Sequence, residues 1–97
     1  MKLVIHAPTA EALERARAIA RNILVANPGA EVRIAANAGG VRAALDAPDP
    51  DTGGHLTPCE NNLRKKRLEK PDAVATNEAA ALFIAELQAR GWAYMRA

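Results

Sequence analysis

The sequence predicts a single α/β domain: a three-layer α/β/α sandwich around a mainly parallel sheet of five strands. Short apolar runs alternate with amphipathic stretches of helical period along the whole chain, which is the order that parallel strands with crossover helices require. The chain has 97 residues, 49% of them hydrophobic, but only one Trp, one Tyr and one Phe. Residues 1–97 therefore suffice for one core, and that core must consist mainly of aliphatic side chains.

The first half of the chain has the clearest pattern. The β-branched run before Pro8 predicts a buried strand. Thr9 is placed to cap the helix that follows, in which apolar residues recur at helical spacing until Asn27-Pro28-Gly29 ends it. Residues 31–36 alternate only partly, which predicts a strand near a sheet edge. A turn at residues 37–40 then leads into a short helix.

The second half is less regular. Residues 47–54 form a loop by composition, because Pro, Asp and Gly are concentrated there. The strand predicted after the loop is weak, since Pro58 removes a ladder donor. A basic helix follows, then a short strand at residues 73–76 and a last helix that Asn77 is expected to cap. Gly91 suits a left-handed helix end, and the chain finishes in an alternating strand.

Charge and cysteine content limit the classes of function. The formal net charge is +2, and the basic run at residues 64–67 is best explained as a solvated helix face. Four cations make few phosphate contacts and no row of aromatic residues accompanies them, so we expect no nucleic-acid partner. A single cysteine fits a reducing compartment, and no segment has the length of a signal peptide or a membrane span. We therefore expect a cytoplasmic protein without a membrane partner.

Polar and glycine residues follow the predicted strands at the points where each strand ends. The carboxyl ends of parallel strands meet at one edge of a sheet, where ligands bind, so we expect a pocket there. The candidate pocket residues are His6, Thr9, Asn37, Gly39, Gly40 and Asn77. Turns need such residues for structural reasons as well. We expect no metal site, because His55 and Cys59 lie roughly 13 Å apart if both are on one strand.

Cys59 is the candidate catalytic residue. It stands where a predicted strand meets a helix, so backbone N–H groups of the first helical turn, together with Arg64, would favour the thiolate. Asn61 and Asn62 lie in the same turn as supporting residues, whereas the carboxylate of Glu60 opposes the effect. A solitary cysteine is also commonly a small buried hydrophobe. From its placement we predict a reactive thiol.

Three stretches, residues 32–40, 59–64 and 86–94, together resemble the DsrE/DsrF-like family of small intracellular sulfur-metabolism proteins. The resemblance runs over nearly the whole chain and depends on the order and spacing of these motifs. It implies an α/β/α sandwich, assembly into homo-trimers or homo-hexamers, and no cofactor. It also implies that Cys59 accepts sulfane sulfur as a persulfide, with other proteins as sulfur donor and acceptor.

The resemblance and the residue pattern together predict a homo-oligomeric sulfur carrier or sulfurtransferase-like protein. Two positions depart from the family pattern: Pro58 replaces a common β-branched residue, and Arg67 replaces a common glycine. The alternative is a non-catalytic oligomeric binding module whose strand-end pocket holds a small ligand or a partner loop. Thiol chemistry separates the two functions, because a binding module would tolerate Cys59→Ser.

Overall fold

A sheet of four parallel strands forms the centre of the computed structural model, which describes residues 1–97. The elements in chain order are β1 (Lys2–Ala7), α1 (Ala10–Ala26), β2 (Glu31–Ala36), α2 (Gly39–Asp46), β3 (Leu56–Pro58), α3 (Glu60–Lys66), α4 (Ala80–Ala89) and β4 (Ala93–Arg96). The strand order across the sheet is β3-β2-β1-β4. The α/β class is confirmed, but the sheet has four strands and not five. None of the helices combines the length and apolarity needed to cross a lipid bilayer.

Helices cover both faces of the sheet. Successive side chains of a strand point to opposite faces, and β1 divides its residues accordingly. Leu3 and Ile5 belong to the largest core, which β1 and β2 form with α1 and α2. Val4 points the other way and packs against Ile84 and Leu87 of α4. The three layers are therefore α1 with α2, the sheet, and α4.

Two helix starts define the carboxyl edge of the sheet. The Thr9 hydroxyl accepts the backbone N–H of Ala12 at 3.0 Å and so caps α1, as the sequence predicted. Gly40, in the first turn of α2, lies against the end of β1, where a Cβ atom would lie 2.1 Å from the carbonyl oxygen of Ala7. Only glycine permits this approach. Ala38, the N-cap residue of α2, has a φ of 47°, a strained conformation for a residue with a side chain.

The fourth of the five predicted strands, residues 73–76, does not form. The chain instead makes one isolated parallel bridge, between Asn77 and Cys59, at the outer side of β3. Ala73 and Ala75 are exposed. Alanine is a weak strand former and buries little apolar area, so this run gains too little from packing to extend the sheet.

The predicted cap of the last helix is also wrong. α4 begins at Ala80, its N-cap residue is Ala79, and no side chain caps it. The Asn77 amide instead donates from Nδ2 to the carbonyl oxygen of Thr57 at 2.8 Å. The Asn77 side chain thus binds β3 and does not cap α4. The other predicted helix end is confirmed, since Gly91 has a φ of 92°.

Asp49 organises the loop between α2 and β3. Its carboxylate accepts hydrogen bonds from the Thr52 hydroxyl at 2.8 Å and from the Asp51 backbone N–H at 3.2 Å. It also pairs with Arg21 of α1. The hydrogen bond from Thr52, with smaller contributions from the Asp51 N–H, Arg21 and Arg17, holds the pKa of the Asp49 carboxyl below its usual range. The ion pair between Asp49 and Arg21 joins the loop to α1.

Candidate functional site

The carboxyl edge of the sheet gathers most of the predicted site residues. His6 is paired in parallel register with Ala35 of β2 and with Arg96 of β4. The backbone N–H of Cys59 donates to the carbonyl oxygen of Ala36 at 2.8 Å, which places the cysteine beside the end of β2. Paired residues of parallel strands point to the same face, so His6 and Arg96 lie on the face that α4 covers.

His6 is the centre of a hydrogen-bonded row of side chains. Its Nε2 lies 2.8 Å from Oδ1 of Asn37, and its Nδ1 lies 3.2 Å from the hydroxyl oxygen of Tyr94. An amide oxygen only accepts, so Nε2 donates to Asn37, and Nδ1 forms the second hydrogen bond of the ring with the Tyr94 hydroxyl. Tyr94 is 42% exposed, so the row reaches the surface. No sequence signal could link these residues, because 88 positions separate His6 from Tyr94.

Cys59 is buried. Only 3% of the residue is exposed, and it packs among Val41 of α2, Leu63 of α3 and Ala80 of α4. It is the N-cap residue of α3, but its side chain makes no capping hydrogen bond. The exposed thiol that a reactive cysteine requires is therefore not found. A sulfur donor reaches this sulfur only if one of the three helices moves.

The residues expected to support the thiol have other roles in the structure. Arg64 is exposed and pairs with Glu60 at 3.2 Å, one turn away on α3. Oδ1 of Asn62 accepts the backbone N–H of the strained Ala38 at 3.2 Å and so braces the turn after β2. The backbone N–H groups of Asn61 and Asn62 have no backbone acceptor, as is usual in the first turn of a helix.

Asn77 carries the one buried side-chain atom without a partner. The residue is 5% exposed, and its Oδ1 makes no hydrogen bond. Leaving a buried acceptor unpaired costs about 1–3 kcal/mol. Asn77 forms the bridge to Cys59. One buried polar atom at this end of the sheet thus has no hydrogen-bond partner.

No cavity is lined by His6 or Asn37, so these two residues form a polar surface and not a concave site. Of the predicted pocket residues only Asn77 lines a cavity, one of about 190 Å³ beside the start of α4. Gly40 closes the gap between α2 and β1, and Thr9 is used as a helix cap. The larger cavities lie elsewhere: one of about 350 Å³ between α1 and α2, and one of about 320 Å³ beside Trp92.

The fold and this edge define a class of protein: a three-layer α/β domain with a polar surface at its strand ends. No family model and no curated protein matches the chain. Among solved structures, the chain is similar to a protein of unknown function from Methanobacterium thermoautotrophicum, with a TM-score of 0.81 and 20% sequence identity. The match covers 99% of this chain and 98% of that chain. The two chains thus share one fold nearly from end to end.

Proposed function

We propose that this protein is a non-catalytic, oligomeric binding module that holds a loop of a partner protein at the carboxyl edge of its sheet. The observation that carries the proposal is the row of His6, Asn37 and Tyr94, which reaches the surface where no cavity exists. Small molecules bind in cavities that enclose them, whereas protein partners bind flatter surfaces on which exposed Tyr and Arg act as anchors. Arg96, paired in register with His6, supplies such an arginine.

The charge near this edge favours an acidic partner loop. α3 starts at the carboxyl edge, and the basic residues 64–67 in and just after it are all exposed. Glu60 pairs with Arg64 only, so three of these four cations have no acidic partner within 4 Å. Exposed positive charge of this kind accelerates association with an acidic surface and adds modest affinity.

Self-association is part of the proposal. α4 exposes apolar residues as well as polar ones: Ala81, Leu82 and Ala85 are exposed, and so are Glu86 and Gln88. β4 is an edge strand on which Tyr94 and Met95 are 42% and 40% exposed. Exposed apolar side chains that lie together often mark a contact with another protein, and a second copy of the chain is a suitable partner for them. The trimer or hexamer implied by the resemblance belongs to this proposal.

Photocrosslinking in the host cells tests the partner-binding surface. With Tyr94→p-benzoylphenylalanine we expect irradiation to give an adduct with another protein, identified by mass spectrometry. The control is the same replacement at Val25, which is 84% exposed near the end of α1, at the opposite end of the sheet. Adducts made only of this 10.3 kDa chain, or the same adducts from both positions, contradict the proposal.

Sulfur transfer by Cys59 is the second candidate function. The unpaired backbone N–H groups of Asn61 and Asn62 favour it, since they are suitable donors to a thiolate or a persulfide at the start of α3. The resemblance to the DsrE/DsrF-like family supports it too. It ranks second because the thiol is buried. Cys59→Ser separates the two functions: a binding module keeps its partner adduct, whereas a carrier loses sulfur loading.

A further inference from the structure

A concave surface lies at the opposite, amino edge of the sheet. Residues 31–33 at the start of β2, residues 54–55 before β3, and Trp92 before β4 line a cavity of about 320 Å³. This volume is at the lower end of the range of roughly 300–1,000 Å³ in which proteins bind small molecules. The cavity shares no residue with the hydrogen-bonded row around His6.

Three planar side chains line this cavity, and two of them are oriented by backbone carbonyl groups. His55 donates from Nδ1 to the carbonyl oxygen of Val32 at 3.1 Å, which leaves Nε2 free. Arg33 donates from Nη1 to the carbonyl oxygen of Gly54 at 3.2 Å. The Trp92 side chain packs against the core beneath α4. No cation–π contact joins Arg33 to Trp92, although both residues line the cavity.

The charges around the cavity favour an anion. Arg33 has no acidic partner within 4 Å, whereas the carboxylate of Glu31 is paired with Lys2 at 3.8 Å. The guanidinium also keeps N–H groups beyond the one that binds Gly54. Both an indole and a guanidinium stack on aromatic rings, and a guanidinium also binds carboxylate or phosphate groups in a bidentate manner.

We propose that this cavity binds a small aromatic anion, with its ring between Trp92 and Arg33 and its charged group on the guanidinium. His55 adds a polar contact at the ring edge through its free Nε2. The site goes beyond the protein-binding surface at the carboxyl edge and does not depend on it. The class of ligand is a planar aromatic ring that carries one carboxylate or phosphate group.

Intrinsic fluorescence tests the site, because Trp92 is the single tryptophan of the chain. We expect benzoate or adenosine monophosphate to give a saturable change in emission, with a Kd of about 1 mM or tighter. The responding probe identifies the charged group as carboxylate or phosphate. Arg33→Gln should weaken binding about tenfold through loss of the charge-assisted contact. Arg42→Gln, on an exposed position of α2, is the matched control and should leave the affinity unchanged.

Several results would overturn this inference. One is the lack of a saturable change with either aromatic anion up to about 10 mM. Another is an equal response to adenosine, which has the ring without the charge, or to inorganic phosphate, which has the charge without the ring. A third is an equal affinity in the Arg33→Gln variant. Arg33 is exposed, so this variant should keep its fold, which far-ultraviolet circular dichroism checks.

Discussion

At the scale of single residues, the carboxyl edge is shaped by contacts between side chains and backbone. Gly40 illustrates how a sequence prediction found the right residue and the wrong role. The glycine pair after β2 was expected to line a pocket, but Gly40 is buried against the carbonyl oxygen of Ala7 and closes the gap. The sequence shows that a turn occurs there. The sequence cannot show how closely the start of α2 approaches the end of β1, because these two elements are not adjacent in the chain.

Gly40→Ala should therefore destabilise the fold by at least about 2 kcal/mol, because the added Cβ meets a backbone atom that cannot rotate away. Its neighbour provides a matched control. A Cβ on Gly39 would lie 3.7 Å from its nearest atoms, so Gly39→Ala should change stability by less than about 1 kcal/mol. Urea unfolding followed by circular dichroism measures both. Equal losses in the two variants would contradict the close approach of α2 to β1.

At the scale of elements, a local sequence signal was reliable only where no distant element bound the same side chain. α1 was predicted with its cap, since the Thr9 hydroxyl and the apolar stripe act within a few residues. Asn77 was assigned to α4 by the same local rule, but its amide binds Thr57 of β3 instead. The strand at residues 73–76 failed for a similar reason. Whether a weak alanine run joins a sheet depends on the packing that neighbouring elements provide.

The outer face of α4 leads to a prediction about assembly. Leu82 is 50% exposed, so Leu82→Glu should leave the subunit folded while placing a charge in the proposed contact between copies. We expect the wild-type chain to exceed 10.3 kDa by light scattering at micromolar concentration, and the variant to approach that mass. Val25→Glu changes an equally apolar exposed residue on α1 and should stay assembled. A monomeric wild-type chain, or the same mass for both variants, would contradict the assembly.

At the scale of the whole molecule, the parallel topology decides which residues meet. The alternation of strands and helices in the sequence predicted that His6 and Asn37 lie at the same edge of the sheet. In the structure, Nε2 of His6 lies 2.8 Å from Oδ1 of Asn37. Tyr94 joins them only because β4 pairs with β1. The burial of Cys59 has the same origin, since α2, α3 and α4 converge on it from distant parts of the chain. The sequence showed that Cys59 lies at the start of a helix, but it could not show that other helices bury the side chain.

The central claim is that function lies on the surface of the carboxyl edge while Cys59 is enclosed beneath it. The most direct measurement is the rate at which iodoacetamide alkylates Cys59 in the native protein, compared with the urea-unfolded chain and with free cysteine at the same pH. Because reaction requires helices to open, we expect the native rate to be slower than both by a factor of about 100 or more. Native alkylation as fast as that of free cysteine would contradict the account and make Cys59 the functional centre.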